Sequence, residues 1–208
     1  MIFNCLITGV GGQGTALLSR IIGLAAMNSG LDVRGMQTAG MARRGSSVVS
    51  HIRMGQDIQS PLVPRGKADI IIALEPAEAV RVYTFLSPAG RILVSDQGIM
   101  PPSGTPDEGK YDPAGMLAFL RSYLSLPSEE RLAQKGGGDW LTVVSGEELN
   151  RKCGSAGVLN TALLGIAVGK KFLPFTAEHA LAALKELIPP QHLELNIRAF
   201  NAGLESAR

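Results

Sequence analysis

Six residues near the start of the chain, Gly9-Val10-Gly11-Gly12-Gln13-Gly14, have the spacing G-x-G-x-x-G. Glycines in such a run let the backbone turn tightly and come close to a ligand. A helix opening behind them offers unpaired N–H groups and the positive end of its dipole to an anion. The same glycines also suit a strand and a helix that merely pack closely, with no ligand at all. A second stretch, Gly40-Met41-Ala42-Arg43-Arg44-Gly45-Ser46-Ser47, sets two arginines beside two hydroxyls. Forked guanidiniums match phosphate or carboxylate, and the serines add donors. Alone, this stretch reads as a solvated loop whose arginines pair with nearby acids. Beside the glycine loop, at the carboxyl edge of a sheet where open α/β folds bind ligands, it reads as a site for a ligand or a partner subunit.

Other chemistries are disfavoured by what surrounds these stretches. A dinucleotide site wants an acid at the end of the second strand to hold the ribose hydroxyls, whereas Asp32 stands at that strand's start and Met36-Gln37-Thr38 at its end. The glycines are not followed by the lysine of an ATP-hydrolysing loop, and the chain has no G-x-S-x-G nucleophile. His51, His179 and His192 lack metal-ligand spacing and read as packed or surface residues, so no metal site and no catalytic residue are assigned. Glu75, Glu78 and Asp96 fall near strand ends, with nothing in the sequence to pair them. The two cysteines cannot alone hold an iron–sulfur cluster, which needs about four ligands. Cys5 reads as a small buried hydrophobe and Cys153 as part of a polar turn.

The net charge of +2, from 20 basic and 18 acidic residues, gives no footprint for nucleic acid. No apolar run reaches the ~18–20 residues of a membrane span, and the N-terminal stretch does not resemble a signal peptide. Sparse cysteines fit a reducing cytoplasm, the expected location.

The elements that must carry these loops follow from periodicity. Residues 2–8 form a short apolar run suited to a strand covered on both faces, and 13–27 have helical spacing. Strands are expected at 32–38, 46–54, 68–74, 91–95 and 140–144, with a loop at 39–45, a helix at 76–86 and a turn at 87–90. The Pro- and Gly-rich region 99–139 reads as an insertion or flap holding helices at 113–126 and 128–135. Helices follow at 157–168, 176–188 and 191–205; Thr176 is an acceptable N-cap, but with His179 three residues on it is not a capping box by sequence. Strands alternating with helices predict one α/β domain over 1–208: a three-layer, Rossmann-like, mostly parallel sheet with helices on both faces and a helical C-terminal third.

Three blocks carry a resemblance. They are GVGGQGTALLSRIIGLAAMNSGLDVRGMQTAGMARRGSSVVSHIRMG over 9–55, ADIIIALEPAEAVR with LSPAGRILVSD within 68–96, and AGVLNTALLGIAVGKKFLPFTAEHALAALKE over 156–186 followed by LELNIRAFNAG. Together they resemble the gamma-subunit family of 2-oxoacid:ferredoxin oxidoreductases, and within it the free-standing chains of the indolepyruvate type. The resemblance implies an accessory subunit, inactive alone, of an enzyme that decarboxylates a 2-oxoacid to an acyl-CoA and passes electrons to ferredoxin. It puts thiamine diphosphate, magnesium and the iron–sulfur clusters on a larger partner subunit, allows a coenzyme A contact on this chain, and allows a homodimer when the chain is isolated. It marks Gly9, Gly11, Gly12, Gln13, Gly14, Arg43, Arg44, Gly45, Ser46 and Ser47 as ligand- or subunit-contacting residues. The alternative is a stand-alone Rossmann-type protein binding a nucleotide or flavin through the same glycine loop. A third reading is a pure scaffold whose glycines only pack.

Overall fold

In the computed structural model, residues 1–38, 45–100, 111–125 and 140–207 are described. Six strands form one sheet: β1 (Ile2–Val10), β2 (Asp32–Thr38), β3 (Ser47–Gly55), β4 (Ala68–Ala73), β5 (Leu86–Ser95) and β6 (Leu141–Val144). Their order is β2-β3-β1-β4-β5-β6. The pairs β1–β4, β4–β5 and β5–β6 are parallel, while β3 runs antiparallel to both β1 and β2. The first crossover therefore passes over the position that β3 fills, and β2 and β3 form a hairpin at the sheet's edge. The last residue of β2 and the first of β3 lie at the carboxyl end of β1.

The described residues carry seven α-helices: α1 (Thr15–Asn28), α2 (Pro76–Val82), α3 (Pro113–Ser125), α4 (Gly146–Cys153), α5 (Leu159–Gly169), α6 (Ala177–Leu187) and α7 (Pro190–Ser206). Side chains alternate across a strand, so β4 feeds two cores. Ile70 and Ile72 face a large cluster with α1 and the C-terminal helices. Ile71 and Ala73 face a smaller one with Ala79 and Val82 of α2 and Leu117, Leu120 and Leu124 of α3. These are the three layers and the helical C-terminal third expected.

Four local expectations are corrected. The turn at 87–90 is part of β5, absorbed as a register shift in which Ala68 pairs with Leu86 but Ile70 with Arg91. Gly90 permits it, since a Cβ there would lie 2.4 Å from the Ala68 carbonyl oxygen. The helix from Pro76 stops at Val82 and continues as one 3-10 turn, Tyr83–Phe85. Cys153 is not in a turn: it closes α4, where it is buried. Finally, the Thr176 N–H donates to His179 Nδ1 at 3.3 Å, so the imidazole completes the capping box that a glutamate usually makes.

Parallel neighbours need a crossover, and 99–139 is the connection between β5 and β6. Its helix α3 covers the sheet face. The helix expected at 128–135 lies outside the described residues.

Candidate functional site

β1 ends at Val10 and α1 begins at Thr15, so the glycine loop turns directly from sheet to helix. Positive φ falls on Gly12 (105°) and Gly14 (78°), not on Gly11. Three of the expected contact residues are held by the fold itself. Gln13 Oε1 accepts from the Val10 N–H at 2.7 Å, and Gln13 Nε2 donates to the Leu74 carbonyl at 3.0 Å. A Cβ on Gly9 would lie 2.8 Å from Gln13 Oε1 and 3.1 Å from Leu74 Cβ. The Gly14 carbonyl accepts from Asn160 Nδ2 of α5 at 3.2 Å. Gly12 differs: it is exposed, with nothing within 4 Å of where its Cβ would be. The N-cap of α1 is Gly14, which supplies no side-chain cap, and the first turn has no acidic residue. That helix end is electrostatically uncompensated among the described residues, the condition in which an anion is favoured.

The arginine stretch meets this loop. The Gly11 N–H donates to the Ser46 carbonyl at 2.8 Å, and the Gly45 N–H donates back to the Gly11 carbonyl at 3.4 Å. Gly45 adopts φ 93° to make the approach. Arg43 and Arg44 lie outside the described residues, so the structure brings together Gly9, Gly11, Gly12, Gln13, Gly14, Gly45, Ser46 and Ser47.

Glu75 and Glu78 are paired, contrary to the sequence reading. Both are buried, at 1% and 4% exposure. Glu75 caps α2, its Oε2 accepting from the Glu78 N–H at 2.8 Å, with Pro76 in the first turn. Its other oxygen accepts from the Tyr111 hydroxyl, which accepts in turn from the Ile99 N–H at 3.0 Å. Burial, then the adjoining Glu75 carboxylate, push the Tyr111 phenol well above its ordinary range. Ser47 Oγ donates to Glu78 Oε2, and Arg81 Nε sits 3.2 Å from Glu78 Oε1. A buried carboxylate pair thus ties the start of β3 to α2 and α2 to the β5–β6 connection. Tyr111 and Asn160 were missed because each meets the site only through the tertiary fold. The Glu-Pro start of α2 was the visible signal for Glu75.

The remaining candidates are structural. Asp96 Oδ1 accepts from the Gly146 N–H at 2.9 Å, at the start of α4. His51 is buried in β3; its Nδ1 accepts from the Val63 N–H at 3.2 Å and its ring meets the Phe85 ring edge-on. Burial holds its pKa below the ordinary 6.5. Cys5 is fully buried, and burial, then Asp69, raise its thiol. Among the described residues no group of three His, Cys, Asp or Glu side chains is placed to hold a metal. A cleft of about 780 Å³ lies at the start of β2 between Met27, Leu31 and Asp57, away from the glycine loop.

Comparison with known proteins agrees with the fold. The family model for pyruvate ferredoxin/flavodoxin oxidoreductase matches residues 4–206. Indolepyruvate oxidoreductase subunit IorB of Archaeoglobus fulgidus is 36% identical over 208 residues, covering 100% of this chain and 96% of that protein. Its namesake from Methanothermobacter thermautotrophicus is 32% identical over 207 residues, with 100% and 98% covered. Among solved structures, the gamma subunit of a keto/oxoacid ferredoxin oxidoreductase from Geobacter sulfurreducens superposes with TM-score 0.67 at 22% identity, over 99% of this chain and 98% of that one. A 2-oxoglutarate:ferredoxin oxidoreductase from Magnetococcus marinus superposes with TM-score 0.66 at 15% identity, over 99% of this chain and 31% of that one. Both structural likenesses are likenesses of fold.

Proposed function

The chain belongs to the pyruvate ferredoxin/flavodoxin oxidoreductase family, and from that premise we propose that it is the gamma-type accessory subunit of an indolepyruvate-type 2-oxoacid:ferredoxin oxidoreductase. The observation that carries this reading is the 36% identity, end to end, with a protein named as an indolepyruvate oxidoreductase subunit. The assembled enzyme converts a 2-oxoacid and coenzyme A to an acyl-CoA and carbon dioxide, and two electrons leave for ferredoxin.

The chain's own chemistry supports an accessory role. Both cysteines are buried and lie on separate elements, and clusters need about four thiolates. The iron–sulfur clusters, thiamine diphosphate and magnesium are therefore assigned to a larger partner in the cytoplasm, through which ferredoxin is reached. This chain's contribution is the joined loop pair. Gly12 presents backbone at the open end of α1, the stretch that Gly11 holds against it carries the two positive charges of Arg43 and Arg44 in its sequence, and Ser47 is anchored by Glu78. Such a surface suits an anionic group of coenzyme A or a carboxylate of the partner.

The test is anaerobic capture of the tagged chain from its native cells, with mass spectrometry and an iron assay. A brown eluate holding a larger thiamine- and cluster-bearing chain is expected. A colourless eluate without a partner refutes the subunit role. In the assembled enzyme, Arg43→Ala with Arg44→Ala is expected to keep the fold and weaken assembly or coenzyme A dependence; normal values of both would remove the loop from the site.

A further inference from the structure

Helix α5 ends in a tight left-handed turn. The Lys171 N–H donates to the Val168 carbonyl at 3.0 Å, and the Phe172 N–H donates to the Ala167 carbonyl at 2.8 Å. This pair of bonds needs a left-handed residue just beyond the helix, a place usually taken by glycine. Here that residue is Lys171, at φ 57°. A side chain in that conformation is disfavoured. Its neighbour Lys170 lies 6.0 Å over the Phe172 ring. The Lys171 side chain is exposed, and among the described residues its ammonium has no hydrogen-bond or ion-pair partner to offset the cost. Strained residues held in place by their surroundings cluster at ligand clamps.

The turn presents Lys171 to a cleft of about 550 Å³. Val168, Leu173, Phe175 and Leu204 line it, the first three of them buried, and apart from Lys171 and Thr176 its lining is apolar. Thr176 and Ala177, the N-cap and first residue of α6, form part of its wall. The first N–H groups of a helix and its dipole add positive character there. No acid lines the cleft; Glu178, in the first turn of α6, is outside the lining. Small-molecule pockets have this make-up: roughly 300–1,000 Å³, apolar walls and a few polar groups that fix orientation.

We infer that this cleft binds an amphipathic monocarboxylate, its hydrocarbon body against Leu173 and Phe175 and its carboxylate between Lys171 and the start of α6. A neutral hydrocarbon would leave the positive rim unused. A small inorganic anion would leave the apolar floor uncovered. A carboxylate on an alkyl or aryl body satisfies both. The site is separate from the glycine loop: Asn160, at the start of α5, donates to the Gly14 carbonyl, and the cleft lies at the other end of that helix, about 15 Å along its axis. The inference therefore does not rest on the proposed function.

The probe is 3-phenylpropionate, titrated into the isotope-labelled full-length chain and followed by amide chemical shifts, with 3-phenylpropanol and acetate as controls. Saturable shifts at Lys171, Leu173, Phe175 and Ala177 are expected, with a Kd below about 1 mM. The alcohol is expected to bind at least about threefold more weakly, and acetate not to saturate. Lys171→Gln removes the charge and keeps the strain; it is expected to bring the acid down to the affinity of the alcohol. Lys171→Gly removes both, so it is expected to lose the same affinity while raising the melting temperature. A higher melting temperature with affinity intact would make Lys171 a helix end and nothing more, and overturns the inference. So does the absence of saturable shifts, shifts confined to other residues, or equal affinity for acid and alcohol. In the anaerobically captured complex, loss of the larger partner from Lys171→Gln gives the cleft to that partner and overturns the inference as well.

Discussion

Gln13 Nε2 donates to the Leu74 carbonyl, 3.0 Å away, so the glycine loop is laced to the tip of β4 by a residue whose motif position suggests ligand contact. Its Oε1 simultaneously satisfies the Val10 N–H. Gln13→Ala orphans a donor and an acceptor in a part-buried place, with an expected loss of about 1–3 kcal/mol. Gln13→Glu keeps the acceptor for Val10 but loses the donor to Leu74, and is expected to fall between. Urea unfolding measures both. Unchanged stability in Gln13→Ala would return the residue to the ligand.

The Ser47–Glu78 contact carries a second prediction. Glu78 is 4% exposed, and Ser47 and Arg81 each satisfy one of its oxygens. Ser47→Ala removes one donor from a buried charge, with an expected loss of about 1.5–3 kcal/mol. Because the two side chains share that bond, a double-mutant cycle with Glu78→Gln is expected to show coupling above about 0.5 kcal/mol. Additive losses would mean that the two act independently. The start of β3 would then not be anchored through α2.

The contrast between these residues shows what could be read from sequence. Periodicity placed β1, α1, β4 and the C-terminal helices because each buries an apolar face of its own. The glycine spacing located the loop, but could not say that Gly9 and Gln13 face Leu74, a residue whose distance is closed only by the parallel β1–β4 pairing. The antiparallel insertion of β3 was likewise hidden, because Ser47–Gly55 looks the same in either direction. Helix α4 was legible and overlooked: Ser145, with Glu148 three residues on, caps its start, and Gly154, at φ 75°, ends it. Glu75 and Glu78 looked like solvated acids because their partners, Tyr111 and Ser47, come from 36 and 31 residues away.

His51 gives a prediction in pH. Its Nδ1 accepts from the Val63 N–H, a role open only to the neutral ring, and burial lowers its pKa from the ordinary 6.5. An unfolded chain therefore takes up a proton that the folded chain refuses. The stability from neutral His51 is complete above about pH 6.5 and is lost as pH falls from there toward the folded-state pKa. His51→Gln, which keeps an acceptor, is expected to flatten this limb of the stability profile. An identical acid limb in wild type and variant would assign the loss to other groups.

The tightest helix crossing among the described residues gives the largest predicted effect. α5 and α7 meet through glycine: a Cβ on Gly165 would lie 2.1 Å from the Phe200 carbonyl oxygen, and one on Gly203 would lie 2.1 Å from the Ala162 carbonyl oxygen. Both obstacles are backbone, so no rotamer can relieve them and the helices must separate. Gly165→Ala is expected to cost about 3 kcal/mol or more, despite the better helix propensity of alanine. Gly12→Ala is the fitting comparison. It meets no atom within 4 Å but imposes a side chain at φ 105°, a strain of about 1–2 kcal/mol. Thermal and urea unfolding should rank Gly165→Ala well below Gly12→Ala, whereas partner capture should rank them by their nearness to the loop pair. If Gly12→Ala proves the more destabilising, the helix crossing is softer than its backbone contacts imply.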